Sequence, residues 1–229
     1  MNNKANIKGF SLIELAIVIT IIGITLAAGL TVLTEYSKIS KIAQTKVIIE
    51  EVMEAIDDYA DEFGALPCPA DPTVSFSDAE YGISSYTTFC PEAPLRSGGT
   101  AMGMVPFGQL ALYPSTTMDA WGRKLTYVIK ENSASGTGLA SGSIDLDVKD
   151  YDGSTSYAGV VVLVYSHGAN GYGAYLGRGF SRLSDTAGST QEQNNNDPAL
   201  EFNAAFSKAA YDDIMYFWTK DQIEDESME

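Results

Sequence analysis

The sequence predicts an α+β protein, in which one long N-terminal helix packs on a small antiparallel β-sheet head. Two observations lead to this fold class. A helical pattern runs from residue 10 to residue 63 and contains no helix breaker except single glycines. After residue 123 the chain contains short alternating or continuous apolar stretches, which are typical of strands. The apolar fraction of 45% is that of a folded chain.

Residues 10–34 form the first half of the predicted helix, an apolar run in which Glu14 is the only charge. About 25 helical residues span on the order of 37 Å, which exceeds the roughly 30 Å of a bilayer core. The run is also longer than the apolar part of an ordinary secretory signal. Lys4 and Lys8 precede it, and such positive charges keep an N-terminus in the cytoplasm. We therefore expect a transmembrane helix that is not removed as a signal peptide.

Residues 35–63 form the second, amphipathic half of the helix. Its apolar positions recur at helical spacing and comprise Ile39, Ile42, Ile49, Val52, Ile56, Tyr59 and Phe63. Gly64 and Pro67 follow and predict the end of the helix. We expect this half to pack on a globular head formed by residues 64–229.

The first part of the head, residues 64–124, is predicted to be irregular because it is rich in Pro, Gly, Ser and Thr. Prolines flank both cysteines, Cys68 and Cys90, and in an exported protein such a pair suggests one disulfide. The bridge would close a loop of about two dozen residues and contribute roughly 3 kcal/mol. Residues 107–114 are predicted to form a helical turn or a short helix.

The second part of the head contains the predicted sheet. We predict strands at 124–130, 142–150, 159–166 and 212–223, of which 159–166 is continuously apolar and therefore central. Alternation of Ile144, Leu146 and Val148 supports the second strand. A short helix is predicted to begin with Asp197 as the N-cap and Pro198 at the first helical position.

Composition argues against several functions. The formal net charge of -16 and the sequence pI near 4.3 disfavour nucleic-acid binding, so no nucleic-acid partner is expected. Two cysteines and one histidine are too few for a zinc site. Ser166 and His167 are neighbours on a predicted strand, so their side chains point to opposite faces and do not form a nucleophile and base. We therefore expect no enzymatic activity and no catalytic residue.

Glu14 needs a positive partner if it is buried. Cleavage after Gly9 would give Phe10 a new α-ammonium group near Glu14 in sequence. When apolar helices stack side by side, this amine and Glu14 of a neighbouring subunit can pair, and the pair then sets the register of assembly. The alternative is a lone polar residue near the membrane interface.

The stretch "KGFSLIE", from Lys8 to Glu14, followed by the apolar run, resembles the class III signal of type IV pilins and type II secretion pseudopilins. The resemblance implies a leader peptide of residues 1–9, cleavage between Gly9 and Phe10 by a prepilin peptidase, N-methylation of Phe10, and a role of Glu14 in assembly. Removal of the leader changes the formal net charge to -18, because Lys4 and Lys8 are lost.

The resemblance also implies location, partners and function. The precursor is expected as a single-pass protein of the bacterial inner membrane with its head in the periplasm, and afterwards as a periplasmic or extracellular filament. Expected partners are other copies or related pilins, the prepilin peptidase and an inner-membrane assembly platform. We expect a structural subunit of a type IV pilus-like or pseudopilus filament. The alternatives are a minor pilin that acts as an adhesion or binding module, and an ordinary single-pass membrane protein.

Three stretches of the head resemble the same family more weakly. Residues 118–128, "MDAWGRKLTYV", are similar to a D-P-W-G…Y element, with Ala120 in place of proline. Residues 164–171, "VYSHGANG", are similar to an S-x-G-x-D-G turn, with Asn170 in place of aspartate. Residues 211–217, "YDDIMYF", are similar to a closing D-D-I strand.

Major pseudopilins bind calcium before their last strand, which makes calcium the candidate cofactor here. Calcium takes six to eight oxygen ligands. The predicted ligands are Asn170, Asp197, Asp212 and Asp213, and Asp185 and Asn196 are further oxygen donors in the same region. The segment between the two motifs is longer than that subfamily has. The alternative is therefore a polar, solvated loop in which Asp197 and Asp212 act as capping or turn residues.

Overall fold

The structure is a computed structural model. It describes residues 9, 11–84, 90, 93, 95–134, 145–150, 152–199, 201–204 and 211–226, without the side chains of residues 27–31 and 224–226. Residues 1–8 of the expected leader, Phe10 and Ile144 lie outside the described residues. The chain divides into two compact units, of which the first ends at Ser40 and the second begins at Lys41.

The first helix, α1, comprises Leu12–Phe63. Gly64 ends it with a left-handed backbone (φ 63°), and the N–H of Gly64 donates to the carbonyl of Ala60 at 2.7 Å. A glycine adopts this conformation without a Cβ clash, so the predicted end of the helix is confirmed.

The part of α1 in the first unit exposes its apolar side chains. Leu12 is 89% exposed and Ile24 is 67% exposed. The structure does not confirm the expected transmembrane span over residues 10–34. Among the helices that the structure describes, none combines the length and the apolar character needed to cross a membrane.

The part of α1 in the second unit buries one face. Its buried apolar residues share a three- or four-residue spacing and comprise Ile49, Val52, Met53, Ile56 and Ala60. Tyr59 and Ile42 are half-buried at the edges of this face. Ile39 and Phe63 are exposed, so their predicted place on the packed face is wrong. Phe63 lies at the last position of α1 and stacks on Tyr59, with 4.4 Å between ring centroids.

The described residues of the head contain eight strands in two sheets. The larger sheet is antiparallel, in the order β1-β2-β3-β6-β8, and consists of β1 (Leu95–Ser97), β2 (Thr100–Met104), β3 (Thr126–Lys130), β6 (Val160–Ser166) and β8 (Ile214–Thr219). The smaller sheet, in the order β5-β4-β7, consists of β4 (Val148–Asp150), β5 (Ser156–Tyr157) and β7 (Phe202–Ala204). Strands β4 and β7 pair in parallel, which the expectation of a purely antiparallel head did not include.

The larger sheet is covered on both faces. Tyr127, Ile129 and Val164 belong to the same buried cluster as the packed face of α1. Leu163 and Tyr165 flank Val164 on β6, and they pack with β4 and β7 on the other face of the sheet. A strand that is buried on both faces reads as a continuous apolar run. Burial on both faces explains the continuous apolar run over residues 160–165. Strand β6 lies between β3 and β8, which confirms it as a central strand.

Residues 64–124 are more regular than predicted, because β1 and β2 lie within them. Gly98 and Gly99 connect these strands as a two-residue turn in which both residues have positive φ, 57° and 77°. Such a turn matches the twist of a hairpin and favours glycine at both positions. Cys68 and Cys90, both buried, are joined by a disulfide.

The remaining local predictions have mixed outcomes. Residues 107–114 contain a helical turn, in which the amides of Gln109 and Leu110 donate to the carbonyl of Pro106, but no α-helix. The last strand ends at Thr219 and continues as a helix, α3 (Lys220–Glu226). Of the predicted strand at 142–150, the structure describes residues 145–150, and among these β4 begins at Val148.

The short helix near residue 197 lies earlier in the chain than predicted. The helix α2 comprises Thr190–Asn195, and its N-cap is Ser189. Ser189 and Glu192 form a capping box, in which each side chain accepts the other residue's backbone N–H. Asp197 instead accepts the N–H of Ala199 at 2.9 Å in a turn. Its side chain satisfies a local turn, so the predicted N-cap role is wrong.

Candidate functional site

The N-terminal segment places Glu14 in the first turn of α1, where it is exposed. A carboxylate at this position interacts favourably with the helix dipole. Gly9 precedes the helix and is also exposed. A Cβ at Gly9 would meet no atom within 4 Å in the described part of the chain, so the fold described here does not require glycine at this position.

A buried polar network holds the turn that follows β6. Ser166 Oγ donates to Asp119 Oδ2 at 2.8 Å, and Asp119 Oδ1 accepts the backbone N–H groups of Trp121 and Arg123 at 2.9 Å each. Burial raises the pKa of the Asp119 carboxyl, and these hydrogen bonds oppose that rise. The guanidinium group of Arg123 donates to the carbonyls of residues 168 and 169. The network therefore fixes the start of the turn.

His167 is a buried, neutral imidazole. Its Nδ1–H donates to the carbonyl of Tyr172 at 2.9 Å, which leaves Nε2 to accept from Thr126 Oγ1 at 2.9 Å. Burial, reinforced by the nearby charge of Arg182, lowers the pKa of His167 to about 3. Ser166 is the last residue of β6 and His167 follows it, and the two side chains bind different partners. Their geometry supports a structural role rather than nucleophilic catalysis.

Three carboxylates converge next to this turn and form the carboxylate cluster, which we define as Glu192, Asp212 and Asp213. One carboxylate oxygen of each lies within 4.8 Å of the others. Helix α2 supplies Glu192, which is 1% exposed. The two aspartates directly precede β8, and Asp213 is 4% exposed. Gly168 has positive φ, and a Cβ there would collide with the backbone carbonyl of Asp212, so glycine allows the turn to approach the cluster.

Only some of the carboxylate oxygens of the cluster accept hydrogen bonds from the described residues. Asp212 Oδ2 accepts the N–H groups of Ala169 and Asn170 at 2.7 and 2.9 Å. Asp213 Oδ2 accepts from Asn195 Nδ2 at 2.8 Å. The Oδ1 atoms of both aspartates are buried and accept no hydrogen bond from any residue that the structure describes.

The carboxylate cluster forms no ion pair with any cation in the described part of the chain. The ion pairs found among the described residues involve Arg96 and Lys149, which lie elsewhere. Burial raises the pKa of Asp212 and of Asp213, and the negative charge of Glu192 raises both further. Buried carboxylates in this arrangement either retain protons or bind a cation. Calcium prefers oxygen ligands such as these, so the residues present fit a hard divalent cation.

The N-terminal segment matches a known sequence family. Residues 4–30 match the family model described as the prokaryotic N-terminal methylation motif. The chain carries the class III signal of type IV pilins and pseudopilins. No curated protein and no solved structure matches the chain significantly. The motif implies a pilin-like precursor that a prepilin peptidase processes and that assembles with related pilins.

The head brings together only some of the predicted calcium ligands. Asp212 and Asp213 belong to the carboxylate cluster. Asn170 lies at its edge and donates its side-chain amide to Glu192 at 2.7 Å. Asp197 is exposed and lies outside the cluster, so its predicted role as a ligand with Asp212 and Asp213 is not supported.

A separate open groove contains the other predicted oxygen donors of this region. Asp185, Asn196 and Asp197 line this groove of about 460 Å³, together with Leu95, Gln193, Asn194 and Pro198. Asp212 and Asp213 are not among the residues that line this groove.

Glu192 is the cluster residue that the sequence interpretation missed. The tract around it, "QEQNNND", is polar and resembles a solvated loop. The signal that identifies the residue is the spacing from Ser189 to Glu192, which is that of a capping box. This spacing predicts a helix start, and a helix start fixes the direction of the Glu192 side chain.

Proposed function

We propose that the chain is a structural subunit of a type IV pilus-like or type II secretion pseudopilus filament. This proposal rests on the match of residues 4–30 to the methylation motif. The exposed apolar residues of α1 support it, because exposed apolar surface of this extent marks an interaction site.

Assembly depends on the processed N-terminus in this proposal. The peptidase cleaves between Gly9 and Phe10 and methylates the new amine of Phe10. Glu14 of a neighbouring subunit then pairs with this amine and sets the axial register. Pairing offsets the free-energy cost of removing the Glu14 carboxylate from water. Without a partner, nothing in an apolar bundle would offset this desolvation cost.

We propose that residues 10–34 anchor the precursor in the bacterial inner membrane before assembly, with the head in the periplasm. An assembly platform then transfers the subunit into the filament. Apolar side chains such as Leu12 and Ile24 exchange lipid for neighbouring helices, so their burial, worth about 25 cal/mol per Å², is retained on transfer. Membrane fractionation and alkaline extraction test the anchor, and a precursor found only in the soluble fraction would overturn it.

The mass of the mature N-terminus tests the proposed function directly. Filaments sheared from cells and digested with protease should yield a first peptide that starts at N-methylated Phe10. A Gly9→Val variant should remain uncut and unassembled, while its head keeps the same protease resistance. A protein that retains Met1 in cells and is never found in a polymer would show that the proposal is wrong.

Calcium at the carboxylate cluster is part of this proposal. Glu192, Asp212 and Asp213 would hold the ion, and the buried Oδ1 atoms of the two aspartates accept no hydrogen bond from the described residues. A bound cation supplies the positive charge that these groups need when they are ionised. It would thereby link α2 to the start of β8 and stabilise the head before export.

A minor pilin that acts as a binding module is the second candidate. The open groove favours it, because carboxylates and carboxamides such as Asp185, Asn194 and Asn196 converge there on one surface. Quantitative mass spectrometry of purified filaments separates the two roles. A structural subunit should be the main component, whereas a minor pilin should be present in small amounts.

A further inference from the structure

One face of α1 in the head carries an unpaired acidic stripe, which we define as Glu51, Glu54, Asp58 and Asp61. All four residues are exposed. Their spacing of three, four and three residues places them in one row along the helix. The row lies opposite the buried face that contains Val52, Met53 and Ile56. It is therefore available to another molecule.

The acidic stripe is electrostatically unfavourable in an isolated subunit. Like charges at this spacing destabilise a helix by about 0.2–0.5 kcal/mol per pair. The last turn of α1 contains no basic residue that would compensate, and negative charge there also opposes the helix dipole. The ion pairs of the described residues include none of these four carboxylates. A cationic partner outside the subunit would remove this cost.

The head also carries an exposed cation among apolar side chains. We define the aromatic patch as Phe76, Leu176, Arg178 and Phe180. Phe76 is 52% exposed and Phe180 is 68% exposed. The guanidinium group of Arg178 lies over the Phe76 ring, 5.9 Å from its centroid. Arg178 is exposed and forms no ion pair within the described residues.

The composition of the aromatic patch is typical of a binding hot spot. Aromatic residues and arginine are enriched at interfaces and account for most of their binding energy. Two other cations of the head already have partners within the subunit. Arg96 forms an ion pair with Glu131, and the ammonium group of Lys124 donates to the carbonyls of residues 72 and 179. Arg178 is thus placed to bind a carboxylate from another molecule.

We propose that the aromatic patch of one subunit docks on the acidic stripe of a second copy of this chain. The two surfaces are complementary in charge, and neither forms an ion pair within the part of the subunit that the structure describes. They are also different surfaces, so the contact is heterologous and can repeat along an open polymer. The inference rests on the proposed filament function and adds to it the head surfaces through which neighbouring copies meet.

A charge swap tests this contact in the full-length protein in cells. Arg178→Glu and Asp58→Arg should each reduce the number of filaments at least about tenfold, because each places like charges in contact. The double variant should restore filaments. Asp221→Arg makes the same charge change as Asp58→Arg at an exposed site of α3 and should leave filament number unchanged. Protease resistance of the head, measured for every variant, identifies any that fail to fold.

Cysteine cross-linking provides an independent measurement. Phe180→Cys combined with Asp58→Cys should give disulfide-linked dimers and higher multimers in isolated filaments. Phe180→Cys combined with Asp221→Cys should not. The docking inference would be overturned if the wild type forms filaments, the charge variants form as many, and no cross-linked multimers appear. The proposed function would remain intact in that case. Absence of wild-type filaments, with Met1 retained, would instead overturn the proposed function.

Discussion

The side-chain amide of Asn170 donates a hydrogen bond to Oε1 of Glu192 across 2.7 Å. This contact joins the turn after β6 to the first turn of α2, two elements that the sequence separates by 22 residues. The backbone N–H of Asn170 also donates to Asp212 Oδ2. One turn therefore contacts two members of the carboxylate cluster, and a change of charge in the cluster should alter the stability of all three segments.

Calcium should stabilise the head, and its affinity should rise with pH. The pKa of Asp212 and of Asp213 is raised in the fold, so protons held by the apo cluster must leave when the ion binds. Without calcium, protonated Asp212 and Asp213 contribute favourably to the free energy of unfolding. This contribution is lost as pH rises through their folded pKa values. We expect a higher melting temperature with calcium than with EDTA, and a larger difference at pH 8 than at pH 5.5.

Two variants distinguish the carboxylate cluster from nonspecific binding. Asp213→Asn should abolish the calcium-dependent shift, because it removes a buried ligand and charge. Asp197→Asn is the matched control, since Asp197 is exposed and lies outside the cluster, and it should retain the full shift. Equal calcium responses in wild type and Asp213→Asn would contradict the proposed site.

The sequence predicts the parts of this fold that depend on local periodicity. The end of α1 at Gly64 and the central strand β6 follow from a glycine position and from a continuous apolar run. The hairpin of β1 and β2 was missed because the surrounding prolines obscured the signal of Gly98 and Gly99. Thr45 is fully buried and its Oγ1 accepts the N–H of Ala120 at 3.1 Å, a tertiary contact that helical periodicity alone does not reveal.

The carboxylate cluster was predictable only in part. Asp212 and Asp213 are adjacent in sequence and precede a strand, so their placement together follows from local structure. Glu192 reaches them through the tertiary packing of α2, which a single sequence does not show. Asp197 is exposed and is not one of the three clustered carboxylates, so its predicted role as a ligand stays a prediction.

Acid should destabilise the head through His167. The folded pKa of His167 is about 3, below the usual 6.5 of an unfolded histidine. The unfolded state therefore binds more protons between these values, and stability is lost as pH falls through this window. Between pH 7.5 and 4.5 the free energy of unfolding should decrease by roughly 2–3 kcal/mol from this residue alone. Urea unfolding followed by tryptophan fluorescence measures the change.

A His167→Asn variant isolates the contribution of the imidazole. Asparagine can still donate to the carbonyl of Tyr172 but does not titrate in this range. The buried aspartates of the carboxylate cluster have the opposite pH dependence and remain in both proteins, so the difference between the two proteins reports His167. Parallel pH profiles for wild type and variant would show that protonation of His167 does not contribute.

Removal of the disulfide should destabilise the loop that precedes β1. Cys68 and Cys90 are separated by 22 residues, and a loop of this length corresponds to about 3 kcal/mol of stabilisation in the chain-entropy model. The Cys68→Ser and Cys90→Ser double variant should therefore unfold at lower urea concentration than the oxidised wild type. Wild type reduced with dithiothreitol in denaturant should match it. Equal midpoints for the oxidised protein and the double variant would contradict this expectation.

Loss of the Glu14 charge should prevent assembly without affecting processing. Glu14→Gln keeps the size of the side chain, and Glu14 is exposed in the first turn of α1, so the helix should lose only about 0.3–1 kcal/mol of dipole stabilisation. We expect a normal N-terminus at Phe10, measured by mass spectrometry, and at least about tenfold fewer filaments, counted by electron microscopy. Glu35→Gln removes an exposed carboxylate from the same helix and should assemble normally. If both variants assemble like wild type, pairing of Glu14 with the amine of Phe10 does not set the register, and the apolar surface of α1 must determine it alone.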